Sequence, residues 1–483
     1  MNNFTRATTS EITHAWEEYE KGVDFNERIG LFDTVRDNEN FFIGKQWEGV
    51  VSNGLPTPVF NFLKRVVLFT VASLSTSNLK LHASSLANAT LPQDIIDTLN
   101  DEFEAILEQV NLTTQLREML RNAAVDGDGC LYTYWDKERG IISEVVENNR
   151  VFFGNTADRR VERQPYIIIS SREQTMHARQ RARENGCNGE IDADDDARGE
   201  EPNPDDRVTV LLRLWRDNTT GTIWASETTR RAVVRPAWDT GLKRYPVTWL
   251  CWDYIPENYH GQAMITGLIP NQVFINKLFA MSMLSLMTTA YPKVIYDRTR
   301  IANWDNRVGA AIPVLGGDMS SVARIMNPAT ISPQIAQFIE LAVGYTQNFL
   351  GATSAALGDV RPDNTSAIIA LQKASAVPNE ITRQNLYAAM EELGKIYIDF
   401  MATFYGSRMS RGVPFDFTRL RDARLSLKLD VGASSYWSEI ASMQTLDNLM
   451  ARGLITLEDY LKRIPDGYVV DKQGLLDKLS LGQ

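Results

Sequence analysis

The sequence predicts an α+β protein that is mainly helical, and three observations carry the prediction. Stretches toward both ends repeat their apolar residues every three or four positions, which is the helical period. The region between Asp128 and Asp253 contains runs that alternate with period two and are rich in β-branched and aromatic residues, as strands are. Between the helical stretches lies GQAMITGLIPNQVFINKLFAMSMLSLMTTAY (261–291), a mostly apolar run of roughly thirty residues that would extend on the order of 45 Å as a helix. Pro270 kinks or restarts it near its beginning. A rod of that length needs a neighbour, and ISPQIAQFIELAVGYTQNFL (331–350) returns after an insertion of about forty residues rich in strand formers, Gly and Pro.

The bulk properties narrow the function classes. With 483 residues, 43% of them hydrophobic, the chain has material for a large core and more than one domain. Its net charge of −11 argues against a protein that coats nucleic acid by neutralising phosphates, but allows one that lets DNA slide past. Cys130, Cys187 and Cys251 are far apart, odd in number and form no CxxC, which predicts a reducing compartment and no structural disulfide. Cys130 and Cys251 read as buried thiols.

Taken in order, the N-terminus carries acids where a signal peptide would carry bases and an apolar core, so an amphipathic helix is expected there. The most apolar charge-free runs, 66–79 and 278–292, are shorter than the roughly twenty residues of a membrane span and read as buried or ring-packed helices. A Gly/Pro-rich loop precedes a helix marked by Phe62, Val66, Phe69 and Leu74. Residues 91–125 follow as one or two helices, with Pro92 early and a stripe of Ile95, Ile96, Leu99, Phe103, Ile106, Leu107 and Val110. Beyond DGDG, a turn with no GK[ST] after it, Leu131, Thr133 and Trp135 alternate with Tyr132 and Tyr134, and KERG turns the chain between strands. YIIIS, RVTVLLRLWRD, GTIWAS and YPVTWLCWDY are expected in one sheet region.

Between these strands, Asp192, Asp194, Asp195, Asp196, Glu200, Glu201, Asp205 and Asp206 meet a single base, Arg198. The alternate aspartates mimic the start of a calcium loop, but Ala197 replaces its glycine and Asn203 its closing glutamate, so a solvated surface loop is the reading. Catalytic constellations are missing. The four histidines form no HxxxH pair, and neither a GxSxG elbow, a Walker A lysine nor a GxGxxG after a strand is present.

Further along, PKVIYD and AAIPVLGG are short strand-like runs whose edges neighbouring subunits would satisfy. Gly351 and Gly358 permit unusual backbone turns, and Pro362 disfavours helix at Arg361. Asn364 or Thr365 caps a long helix kinked at Pro378, whose Leu386, Met390, Leu393, Tyr397, Phe400 and Phe404 form a core stripe. At the C-terminus Gly453 ends one helix, Thr456 caps the next, and Pro465 closes it.

FFIGKQW, TPVFNFLKRVV, DGDGCLYTYWD, GQAMITGLIPNQVFINKL and LGDVRPDNTSAIIALQKAS, in that order, resemble the portal proteins of tailed bacteriophages over most of the chain. The resemblance implies a non-enzymatic homo-oligomer, a ring of about twelve subunits closed by one repeated contact at a capsid vertex, through which double-stranded DNA enters and leaves. It implies a wing (1–260), a first stem helix (261–291), a clip (292–328), a second stem helix (329–350) and a tunnel loop (351–364). A long helix with wing return (365–433) and a C-terminal crown (434–483) complete it. Gly351, Ser354, Gly358, Arg361, Asn364 and Lys373 would then face the DNA channel, with a solvated surface role as the other reading for Arg361 and Lys373. Arg298, Arg300, Trp304 and Arg307 would meet the terminase large subunit and, later, the head-tail adaptor. Major capsid and scaffolding proteins are further implied partners; no cofactor, metal or catalytic group is implied. The place of action would be the virion, after assembly in the host cytoplasm. A nucleic-acid enzyme without a legible motif and a membrane pore using 278–291 stand as the alternatives.

Overall fold

The structure is a computed structural model that describes residues 2–52, 54–75, 80–85, 93–194, 206–290, 293–305, 307, 311–325, 334–349, 379–410, 413–422, 425–430 and 436–464. Helix outweighs strand among them. The N-terminal amphipathic segment forms α1 (Asn2–Arg28), followed by α2 (Leu31–Ile43). The apolar segment after the Gly/Pro loop is α3 (Phe62–Ser75). A short strand, β1 (Lys80–Ser85), leads to α4 (Gln93–Gln109) and α5 (Leu112–Asp126), so 91–125 yields two helices. Of the predicted stripe on α4, all but the half-buried Leu107 are buried.

Period two begins where expected. β2 (Asp128–Asp136) and β3 (Gly140–Val146) form a hairpin whose turn is held by Asp136 Oδ1, which accepts from the amides of Glu138 and Arg139 at 2.8 Å each. Then come β4 (Val151–Phe153), β5 (Tyr166–Gln174), α6 (Thr175–Glu184), β6 (Arg207–Arg216), β7 (Ile223–Thr228), β8 (Val233–Asp239) and β9 (Val247–Cys251). The expectation of one sheet region is corrected here. β4 to β8 make a five-stranded antiparallel meander, whereas β9 leaves it to pair with β2 in a three-stranded sheet ordered β3-β2-β9. β8 is a strand that sequence reading misses, because Pro236 argues against one; as the edge of the meander, it tolerates the missing amide.

The predicted rod is shorter than expected. A 3₁₀ turn at Thr266–Leu268 precedes α7 (Ile269–Ala290), so Pro270 restarts the helix in its first turn, and 22 residues give roughly 33 Å. β10 (Val294–Tyr296) pairs with β11 (Ala323–Ile325), not with AAIPVLGG. Residues 311–315 of that run form no strand; Pro313 lacks an amide, and Gly316 and Gly317 follow with positive φ. α8 (Gln334–Phe349) returns against α7. The residues expected to form a tunnel loop, Gly351, Ser354, Gly358, Arg361 and Asn364, together with Lys373 and Pro378, lie outside the described residues.

α9 (Glu380–Phe400) carries the predicted stripe; Leu386, Met390, Leu393, Tyr397 and Phe400 are buried against the three-stranded sheet and its neighbours, while Phe404 stacks on Trp135. β12 (Ser407–Ser410) and β13 (Val413–Asp416) form a hairpin, and β14 (Leu425–Asp430) crosses back to pair with β1. α10 (Tyr436–Ala451) and α11 (Leu457–Arg463) end the described chain. Between them, Gly453 adopts φ 68° and Thr456 Oγ1 accepts from the Asp459 amide at 3.1 Å, both as predicted.

One core runs through α3 to α5, both large sheets and α9, and holds Cys130 and Cys251 as free buried thiols. A cavity of about 1190 Å³ remains between the two sheets. Asp126 lines it at the end of α5. Burial first, and then Glu39 nearby, push its carboxyl up to about 8, although Arg121 at 4.0 Å pulls the other way. Between the ordinary 3.8 and about 8, the folded chain holds a proton that the unfolded chain has lost, so stability falls as pH rises through that window. Asp126→Asn is expected to remove this slope, which is at most about 1.4 kcal/mol per pH unit, in denaturant unfolding compared at pH 5 and pH 8.

Candidate channel wall and ring contact

The segment that leads into α7 starts from a buried polar cluster. The DGDG turn between α5 and β2 lies against the segment leading into α7 so closely that a Cβ on Gly127, itself at φ 104°, would meet Gly261 O at 2.5 Å. A Cβ on Gly261 would meet Gly127 O at 2.9 Å, so both positions need glycine. Asp128 clamps this contact. Its Oδ1 accepts from the Gly261 amide at 2.8 Å, and its Oδ2 lies 2.7 Å from His260 Nδ1. His260 Nε2 lies 3.2 Å from Asn26 Oδ1 on α1, and Asn148 Nδ2 donates to the Asp126 carbonyl at 2.9 Å. Burial pushes the Cys251 thiol well up, as it does the Tyr259 hydroxyl beside it. A thiol held protonated is a poor nucleophile, and the hydrogen bonds of the cluster tie α1, the DGDG turn and the segment leading to α7 together.

A second set of polar residues fixes the first half of α7. Gln272 Nε2 donates to Phe60 O at 2.7 Å, Asn276 Nδ2 donates to Gln46 Oε1 at 2.6 Å, and Phe60 stacks on Phe279 at 4.0 Å. Gln272 and Asn276 are buried and one turn apart. Sequence reasoning passed over these residues, although two amides four apart on an apolar helix are a legible signal. Asp128 and His260 gave no such signal, because 132 positions separate them.

Beyond this root, α7 leaves its body. Met281, Met283, Leu284, Leu286 and Met287 are exposed, as are Phe338, Leu341 and Tyr345 on α8. Lys277 and Glu340 are the only charges on the two helices. Among the described residues, Thr266–Ala290 alone is long and apolar enough, by length and composition, to cross a membrane.

At the far end of α7, the predicted partner-contact residues take different roles. Arg300 is turned inward; its guanidinium donates to Gly316 O at 3.1 Å, Ser321 Oγ at 3.2 Å and Asp318 O at 3.3 Å, bracing the turn before β11. Trp304 stacks on Tyr296 at 5.4 Å. Arg307 is exposed and pairs with Asp305 at 2.6 Å, and Arg298 is exposed. Among the described residues, no group of three or more His, Cys, Asp or Glu is placed to hold a metal ion.

A chain that closes one core yet leaves its most apolar helix pair bare, with a two-stranded excursion at the far end, has the makings of one subunit of an assembly. The family model of the phage P22-like portal protein matches residues 134–411, and the chain belongs to that family. Its members are structural components of the phage capsid, and this one is a phage portal protein. No curated protein matches the chain.

Proposed function

We propose that the chain is the repeating subunit of a ring at one capsid vertex that forms the channel for DNA packaging and ejection. The bare apolar surface of α7 and α8 supports this reading most directly. A patch of that size on a folded body marks a contact with other protein. Copies arranged about an axis would bury it between adjacent stems and leave the ring's inner face to the DNA. Residues 1–260 with 365–433 would form the wing, 261–291 and 329–350 the stem, and 292–328 the clip, with 434–483 as crown. Arg298 and Arg307 are exposed on the clip and would meet terminase or adaptor; Arg300 would shape that surface from within. The net charge of −11 suits a sliding channel, because phosphates held tightly by a basic lumen would brake the DNA.

Residues 351–364 would be the part that faces the moving DNA. Deleting them is expected to leave ring formation intact and to abolish packaging, measured as nuclease-protected DNA in a packaging assay; loss of the ring itself would contradict the placement. The length of Thr266–Ala290 also suits a membrane pore. That reading requires the helix to enter detergent micelles or lipid, whereas the portal reading has it packed against copies of itself.

A further inference from the structure

At the Tyr166 end of β5 lies a cleft of about 470 Å³, rimmed by Arg159, Arg160 and Arg163 and floored by apolar residues that include Leu250 and Ile396. The other arginine lining it, Arg244, is paired with Glu392 at 3.0 Å and Glu162 at 3.8 Å. The three rim arginines are exposed and differently placed. Arg160 and Arg163 both lean toward Asp158 at 3.8 Å, beyond hydrogen-bond distance, and Arg159 lies over the exposed ring of Tyr254 at 4.5 Å. One carboxylate thus stands between two guanidinium groups, with a third beside an exposed aromatic ring. That is a surface for an acidic chain segment.

The chain contains such a segment at the opposite end of the same strand. Gln174, the last residue of β5, pairs with Arg207, and Thr175 N donates to Asp206 O at 2.9 Å. Asp194 N donates to Arg207 O at 3.1 Å, so residues 195–205 leave and rejoin the fold at one point. From Asp192 to Asp206 the sequence places eight carboxylates against one base. Asp192 already faces Arg179 at 3.6 Å and Arg231 at 3.5 Å, and Asp194 accepts from the Thr209 amide. The acids that follow have the rest of the segment's charge.

Distance decides whose cleft this segment can reach. The nine residues of β5 span roughly 30 Å, whereas an eleven-residue excursion that must return reaches at most roughly 18 Å. The segment cannot fill its own chain's cleft. Two complementary surfaces at opposite ends of one subunit are what a closed head-to-tail ring uses. We infer that the acidic segment 195–205 of one subunit docks into the Arg159, Arg160 and Arg163 cleft of the next. The inference rests on the ring reading and adds to it a specific wing contact, apart from the stem.

Charge reversal on each side tests it. The R159E/R160E/R163E variant and the D195K/D196K/E200K/E201K variant are each expected to keep the wild-type melting temperature but to lose the ring peak in sedimentation velocity at 0.15 M salt. An equimolar mixture should restore rings, because the reversed cleft of one variant then meets the reversed segment of the other, and the two unreversed surfaces meet each other. Such rings alternate the two chains, and native mass spectrometry should find equal numbers of each. Rings from either variant alone, as abundant as wild type, overturn the docking and leave the ring reading intact. Failure of the mixture to restore rings also overturns it. If only the arginine variant fails, and it also loses affinity for duplex DNA, the cleft takes phosphate instead. A wild-type chain that forms no ring refutes the ring reading, and the contact with it.

Discussion

Replacing Leu286 and Met287 together by glutamate is expected to convert rings to monomers without unfolding the subunit. Both side chains are bare in the isolated chain, at 61% and 54% exposure, so the folded monomer loses little; surface changes of this kind usually stay within about 0.5 kcal/mol. In the ring, the same side chains would be buried between stems, where each is worth about 1.5–3 kcal/mol. Removing both therefore weakens every contact by roughly a hundredfold or more, before the cost of burying two carboxylates is added. Sedimentation velocity at micromolar concentration reads the loss of rings, and thermal melting of the monomer reads the intact fold. Undiminished rings would mean that this helix face is covered by something else, or by nothing.

Asp128→Ala should act on the subunit itself. The carboxylate satisfies the Gly261 amide and faces His260, both inside the fold, and its removal leaves the amide without its acceptor and the imidazole without its partner. Breaking a buried hydrogen-bonded pair of this kind costs about 3–5 kcal/mol. Denaturant unfolding should show that loss, with Asp128→Asn intermediate because it keeps one acceptor oxygen and the side chain's volume. Since Asp128 fixes the segment from which α7 starts, the alanine variant should also assemble poorly. Its lowered monomer stability separates it from the stem variant, in which assembly fails and the fold holds. An alanine variant as stable as wild type would show that the cluster does not anchor the stem.

Local periodicity explains what could be read from the sequence. The stripes on α4 and α9 were legible because a helix writes its buried face at three- and four-residue spacing, and most of those residues are in the core, with Leu107 and Phe404 packed against it half-buried. The β2–β3 hairpin was legible through its alternation and turn, and the Thr456 cap through a side chain acting three residues away. Strand partners were not. β9 pairs with β2 across more than a hundred residues, and nothing local distinguishes it from the strands of the meander. Pro236 hid β8, because edge position is a property of the sheet and not of the strand.

The helix α7 was legible for the same local reason, through its apolar length and Pro270. Its anchors were not, because Asp128, His260, Gln272 and Asn276 acquire their roles only when distant segments meet. DGDG read correctly as a turn, but its close approach to Gly261 belongs to the tertiary fold. Arg300, between α7 and α8, illustrates the same limit. An arginine between short strands looks available to a partner, and only the position of Gly316, Asp318 and Ser321 reveals that its donors face inward.

The central claim is that this subunit closes a ring around an axial channel, and electron microscopy of the purified protein tests it most directly. Closed rings with a central opening wide enough for duplex DNA, lost in the Leu286 and Met287 double variant, are the predicted result. A uniform monomer at every protein concentration and salt would contradict it.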